Sequence, residues 1–153
     1  MIEVKYPAPS FKIKQEKEQH YVFDTLRKTW LLLTEEEWVR QNFVQYLVQS
    51  MLYPPALIAI EKELELNGLK KRFDILVYDQ QHTPWMLIEC KAPAVLIDDK
   101  TLEQVLRYHI SIPTSFLVVT NGETTYAWQK LNGNLQLLEK LPEWEPALPG
   151  ENP

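Results

Sequence analysis

A single cysteine, Cys90, stands among 153 residues. That excludes an intramolecular disulfide and any zinc site built on several thiolates. Glycine is nearly as scarce, at four. None of the four belongs to a G-x4-G-K-[ST] loop, so ATP-driven motor activity of the P-loop kind is excluded for this polypeptide. The three histidines, His20, His82 and His109, read as surface or packing residues. No apolar run approaches bilayer-spanning length, and the N-terminus alternates charged and apolar residues, unlike a signal peptide. A cytoplasmic protein with no membrane partner is expected. Positive charge is also in deficit. The net charge of −5 argues against gripping nucleic acid by bulk electrostatics, because phosphate affinity grows with the number of neutralising Lys and Arg. A divalent cation changes the local sign, so a metal-dependent site on nucleic acid stays compatible with this balance. Binding by the chain alone would then be weak, and a partner would supply the grip.

What is present is an ordinary globular composition, 45% apolar and 24% charged, enough for one domain with a real core. We divide it into an N-terminal arm (about 1–33), a core (about 34–141) and a flexible, Pro-rich acidic tail (about 142–153). In the arm, residues 11–14 and 20–23 alternate as short strands, 24–28 turn, and 29–33 form a third apolar run. Lys12, Lys14 and Lys17 read as a solvated strand face. Thr34-Glu35-Glu36-Glu37 opens a helix as a capping box with an acidic first turn. Val39, Phe43, Tyr46 and Leu47 form its apolar stripe, which the wheel extends to Glu36, and Tyr53-Pro54-Pro55 ends it. Strand patterns follow at 61–66, 69–78 and 85–90, with Asn67-Gly68 as a hairpin turn between the first two. Pro93 stops further pairing. A second helix runs from Asp98 or Asp99 to about Ile110, with Leu102, Val105, Leu106, His109 and Ile110 as its buried stripe. The β-branched run at 115–120 reads as a buried central strand, and two turns at 121–122 and 132–134 set off a terminal hairpin. Helix, three antiparallel strands, helix, strand and hairpin give an α/β (α+β) sandwich around a mixed sheet.

The organising stretch is RFDILVYDQQHTPWMLIECK, residues 72–91. Its two apolar runs make adjacent antiparallel strands, yet Asp74 opens the first while Glu89 and Lys91 close the second. Residues two apart on a strand share a face, so Glu89 and Lys91 project together and Cys90 points away. Charges at the end of so apolar a run cost desolvation unless paired or bound to something. A strand-end salt bridge would satisfy them. So would a metal site, since Mg2+ takes one or two carboxylates together with waters and a substrate phosphate. Asp74 and Glu89 could supply the carboxylates and the Cys90 carbonyl a third oxygen, with Glu36 as an outer or second-metal acid. Lys91 would orient water or stabilise the transition state.

With D-x14-E-x-K on a hairpin, an acidic helix before it and Gln104-x3-Tyr108 on a helix after it, the chain resembles the PD-(D/E)xK nuclease superfamily. More narrowly, it resembles the N-terminal nuclease domain of type I restriction enzyme R subunits. The carrying segments are TEEEWVRQ (34–41), KRFDILVYD (71–79), PWMLIECKAP (84–93), Gln104 with Tyr108, and FLVVTNG (116–122). Phe73 stands where the motif's name has proline. The resemblance implies a restriction-endonuclease-like sheet flanked by helices. It implies Asp74 and Glu89 as metal ligands and Lys91 as the catalytic lysine. Gln104 joins that set, and Arg40 and Tyr108 support the site or contact DNA. The helix acid is Glu36 or Glu37, the wheel favouring Glu36. Thr101-x-x-Gln104 also reads as a capping box, and Arg40 also reads as a surface ion pair. The expected function is Mg2+-dependent DNA cleavage, with Mn2+ substituting. Expected partners are DNA and restriction-modification subunits or a motor protein, a homodimer being compatible. The alternative is a non-catalytic module that keeps the fold and binds nucleic acid or protein. A Cys90 nucleophile is disfavoured by its orientation.

Overall fold

The computed structural model describes residues 1–66 and 68–144. Asn67 of the expected hairpin turn and residues 145–153 of the expected tail lie outside the described residues. The fold is α+β. Three short strands, β1 (Ile13–Glu16), β2 (Gln19–Asp24) and β3 (Thr29–Leu32), pair antiparallel as a small sheet of their own. Then follow α1 (Glu35–Gln45), β4 (Ile58–Leu66), β5 (Leu69–Tyr78), β6 (Pro84–Cys90), α2 (Asp99–His109), β7 (Phe116–Thr120), β8 (Thr125–Leu131) and β9 (Asn134–Leu137). β4 to β9 make a six-stranded sheet in chain order. Every neighbouring pair is antiparallel except β6 and β7, which run parallel. α2 lies in the crossover between those two, as a parallel pair requires.

Alternation divides the buried side chains into two layers. On one face Ile75, Val77, Met86, Ile88, Cys90 and Val118 pack with Val39, Phe43 and Leu47 from α1 and the turn after it. On the other, Leu76, Leu87, Leu117 and Val119 pack with Val105 of α2 and with Ile112. β7, covered on both faces, is buried throughout, which is why its sequence is continuously apolar.

Thr34 caps α1, its Oγ1 accepting from the Glu37 amide at 3.0 Å. Past Gln45 the chain loosens into a π turn over Tyr46–Ser50 before the prolines. The N-cap of α2 is Asp98, whose carboxylate accepts from the Thr101 amide at 2.8 Å. Thr101 is thus the capped residue, not the cap, and no capping box joins it to Gln104. Of the stripe expected on α2, Ile110 faces solvent. The tail is tied down further than expected. Tyr53 donates to the Pro142 carbonyl, and Trp144 Nε1 donates to the Tyr78 carbonyl at 3.2 Å.

Leu117 is fully buried between the layers, whereas Leu137 on the edge strand is 53% exposed. We expect Leu117→Ala to cost roughly 2–5 kcal/mol in urea unfolding and Leu137→Ala less than about 0.5 kcal/mol. Equal losses at the two positions would contradict this layering.

Candidate metal and phosphodiester site

Ile75 of β5 pairs with Ile88 of β6, so the next positions outward on this antiparallel ladder are Asp74 and Glu89. The ladder on the other side of β5 is irregular here. Ile60 pairs with Ile75 and Lys62 with Phe73, passing over Glu61 and Asp74, and Glu61 has a φ of +51°. That is left-handed backbone, uncommon outside glycine and costing on the order of 1 kcal/mol. Phe73 packs in the α2-side layer and Ile75 in the α1-side layer, although strand residues two apart normally share a face. The strand thus turns over at Asp74, which is mid-strand rather than at the strand's start.

Both Asp74 oxygens are engaged. Oδ2 accepts from the Cys90 amide at 2.8 Å, and Oδ1 lies 3.3 Å from Nη1 of Arg40. Arg40 is only 6% exposed and is neither a surface ion pair nor free to touch a phosphate. It pairs with Glu37 one turn back on its own helix and with Glu61 at 2.8 Å. Glu61 also meets Arg72 and Arg27. Glu37 is 4% exposed and also takes the Gln41 amide at 3.0 Å, while Glu36 is exposed. The inward acid of α1 is therefore Glu37, reversing the wheel. Its carboxylate is held by polar partners where the apolar stripe gave no reason to bury it. Glu36 is nevertheless close enough for its charge to be felt at Asp74. Among the described residues no three His, Cys, Asp or Glu side chains converge as a metal cage.

Glu89 and Lys91 share a side, Lys91 Nζ standing 3.8 Å from Glu89 Oε1, and the Lys91 amide donates to the Thr120 carbonyl at 2.8 Å. They form the sheet side of a cavity of about 270 Å³ whose other walls are Thr101, Gln104, Tyr108 and His109. Gln104 is exposed, and Tyr108 is 48% exposed with Lys71 Nζ 4.8 Å from its ring centroid. Two residues here were not foreseen as parts of a site. Glu61 looked like one more polar member of an alternating strand. His109, read as a packing residue, is buried, but its Nε2 lies 3.5 Å from Glu89 Oε2. Its place on the buried stripe was the only signal available.

Burial, and then the neighbouring Glu89, push the Asp74 carboxyl up to about 7, against the opposing Cys90 amide and Arg40. Glu61 shows the reverse balance, because Arg40, Arg72 and Arg27 outweigh its burial and hold it below the usual range. Burial raises the Cys90 thiol well above its ordinary value, with Asp74 adding to the effect. The thiol faces the α1-side core, so it is no nucleophile.

Asp74 thus retains in the folded chain a proton that the unfolded chain releases near pH 4. Its contribution to stability is full below about pH 4 and is lost as pH rises to about 7. Without metal, Asp74→Asn should match wild type near pH 4 and exceed it at pH 8 by on the order of 2–4 kcal/mol. Urea titrations across this range in chelator check it, and parallel curves would contradict it.

No curated protein matches the chain significantly. A cryoEM structure of a DrdV–DNA complex is similar at a TM-score of 0.46 and 20% identity, over 69% of this chain and 10% of that one. The chain therefore spans about a tenth of that neighbour's length. The family model described as "Type I restriction enzyme R protein N terminus" matches residues 35–142, from the first turn of α1 to the residue after Leu141. By that match over most of its length, the chain belongs to the type I restriction enzyme R protein N-terminal family.

Proposed function

We propose that this chain is a metal-dependent endonuclease domain that hydrolyses DNA phosphodiesters. One observation carries the reading. Asp74 and Glu89 are neighbouring positions at the end of an apolar sheet, and burial, followed by the charge of Glu89, raises the Asp74 carboxyl to about 7. Two acids held so close favour a cation, and a pair of carboxylates is what Mg2+ ordinarily takes from protein. The donor set is hard oxygen, which fits Mg2+ or Mn2+ and not a thiolate-seeking metal. Asp74, Glu89 and the Cys90 carbonyl would hold the ion. When bound, it supplies an acidified water, a polarised phosphoryl oxygen and neutralisation of developing charge.

The chain's own residues do the rest. The Cys90 amide fixes one oxygen of Asp74, which orients the carboxylate. Lys91, beside Glu89 and facing the cavity, brings an ammonium to the scissile phosphate or its attacking water. Gln104 and Tyr108 line the same opening and offer amide and hydroxyl groups to the substrate backbone. Arg40 is a positioning residue, clamping Asp74 from α1. Restriction-modification subunits or a motor protein would supply the affinity that a net charge of −5 withholds.

A second reading, a non-catalytic module binding nucleic acid or protein, draws support from Arg40, because an arginine on Asp74 partly does the work of a cation. Calorimetric titration with Mn2+ separates the two. A nuclease should show a cation site that both Asp74→Ala and Glu89→Ala abolish, and a binding module should show none.

We expect Asp74→Ala and Glu89→Ala each to lower Mg2+-dependent cleavage of supercoiled DNA by at least about 100-fold while the chain stays folded. Lys91→Ala should keep the cation site and lose a similar factor in rate. If any of the three variants cut as fast as wild type, the role given to that residue would be refuted.

A further inference from the structure

The geometry points to His109 as the positioning residue that holds Glu89 in its metal-binding orientation, an inference that rests on the nuclease reading above. His109 is 2% exposed, in the last turn of α2. Its Nε2 lies 3.5 Å from Oε2 of Glu89, and Lys91 Nζ stands 3.8 Å from the other oxygen, Oε1. Glu89 is thus bracketed, with one oxygen toward the imidazole and the other toward Lys91. The imidazole cannot wander. Its ring packs against Phe73 at 5.6 Å between centroids and perpendicular to Tyr108 at 4.6 Å. The helix end that carries it is tied to β8 by Lys130, which donates to the carbonyls of His109 and Ile112.

Packing alone does not account for an imidazole here. Nδ1 is buried and has no hydrogen-bond partner among the described residues, at a cost of about 1–3 kcal/mol that an apolar ring of the same size would avoid. What the imidazole provides and such a ring does not is a polar nitrogen, Nε2, 3.5 Å from Glu89 Oε2. A carboxylate ligand whose outer oxygen is held by a donor loses less freedom on taking a cation, and such supporting contacts typically alter metal affinity by about 10–100-fold. Phe73 and Tyr108 connect the arrangement to both sides of the site, since Phe73 precedes Asp74 and Tyr108 lines the cavity. On this inference His109 acts on the cation through Glu89.

The test sets two replacements against each other at one fixed pH. His109→Gln keeps a donor near the Nε2 position and loses the ring; His109→Phe keeps the ring and loses the donor. Mn2+ affinity is read by calorimetry and fold by thermal melting without metal. We expect His109→Phe to melt near wild type and bind Mn2+ about 10-fold or more weakly. His109→Gln should melt lower yet bind within about 3-fold of wild type. In the cleavage assay the Phe variant should need correspondingly more Mg2+ for half-maximal rate and recover at saturation. Should His109→Phe not fold, His109→Leu takes its place as the donorless variant. A donorless variant that binds Mn2+ as wild type does overturns the inference, as does equal weakening in the Gln variant. A wild-type chain with no cation site overturns the nuclease reading and this inference together.

Discussion

A buried guanidinium holds the candidate site in place. Arg40 joins α1, β4 and β5 through Glu37, Glu61 and Asp74. Arg27 and Gln41 carry the same network to Asp24, and so to the small N-terminal sheet. Buried ion pairs are poor evidence of net stability, because desolvation offsets much of the Coulomb gain. Their value here is geometric. Four acids (Asp24, Glu37, Glu61, Asp74) meet three arginines (Arg27, Arg40, Arg72), so one negative charge is left over. Asp74, desolvated by burial and then repelled by Glu89, is raised despite Arg40, whereas Glu61, surrounded by arginines, is lowered. On the nuclease reading, a cation completes the balance at Asp74 and Glu89.

The same network explains the irregular strand. Glu61 reaches Arg40, Arg27 and Arg72 from a left-handed backbone position that a regular ladder would not give it. Opposite it, β5 turns over between Phe73 and Ile75, so that Asp74 is reached from α1 while Glu89 meets a histidine from α2. Local backbone cost is thus exchanged for a junction between the two layers, which a flat sheet would keep apart.

Much of this could be read from residue order, because the informative features were short-range. Alternation alone puts Glu89 and Lys91 on one side and Cys90 on the other, and the register agrees. The apolar run in β7 marks it as covered on both faces. The missing parts were those decided by residues distant in sequence. An apolar stripe on α1 cannot reveal that Glu37, Arg40 and Gln41 are the inward polar residues, because their partners come from β2, β4 and β5. A helical wheel places neighbours about 100° apart. The choice between Glu36 and Glu37 therefore turned on the width of the buried face, which the polar network and the buried Val44 shift. For His109, periodicity gave burial correctly, but nothing local says that Glu89, twenty positions earlier, would lie beside it.

The two sides of the site differ in what they admit. On the α1 side the charges are closed in by mutual pairing, and Arg40 and Glu37 have almost no exposure. On the α2 side the opening is walled by Glu89, Lys91, Gln104 and Tyr108, with Lys71 stacked on the tyrosine at its rim. On the nuclease reading, a phosphate backbone therefore enters past two lysines and meets Glu89. Those lysines act only at short range, because salt screens exposed charges beyond roughly 8–10 Å. At longer range the phosphate meets a chain of net charge −5, which does not attract it. On that reading approach and capture are separable tasks, and a small basic rim beside Glu89 suits the second, with the strand delivered by a partner.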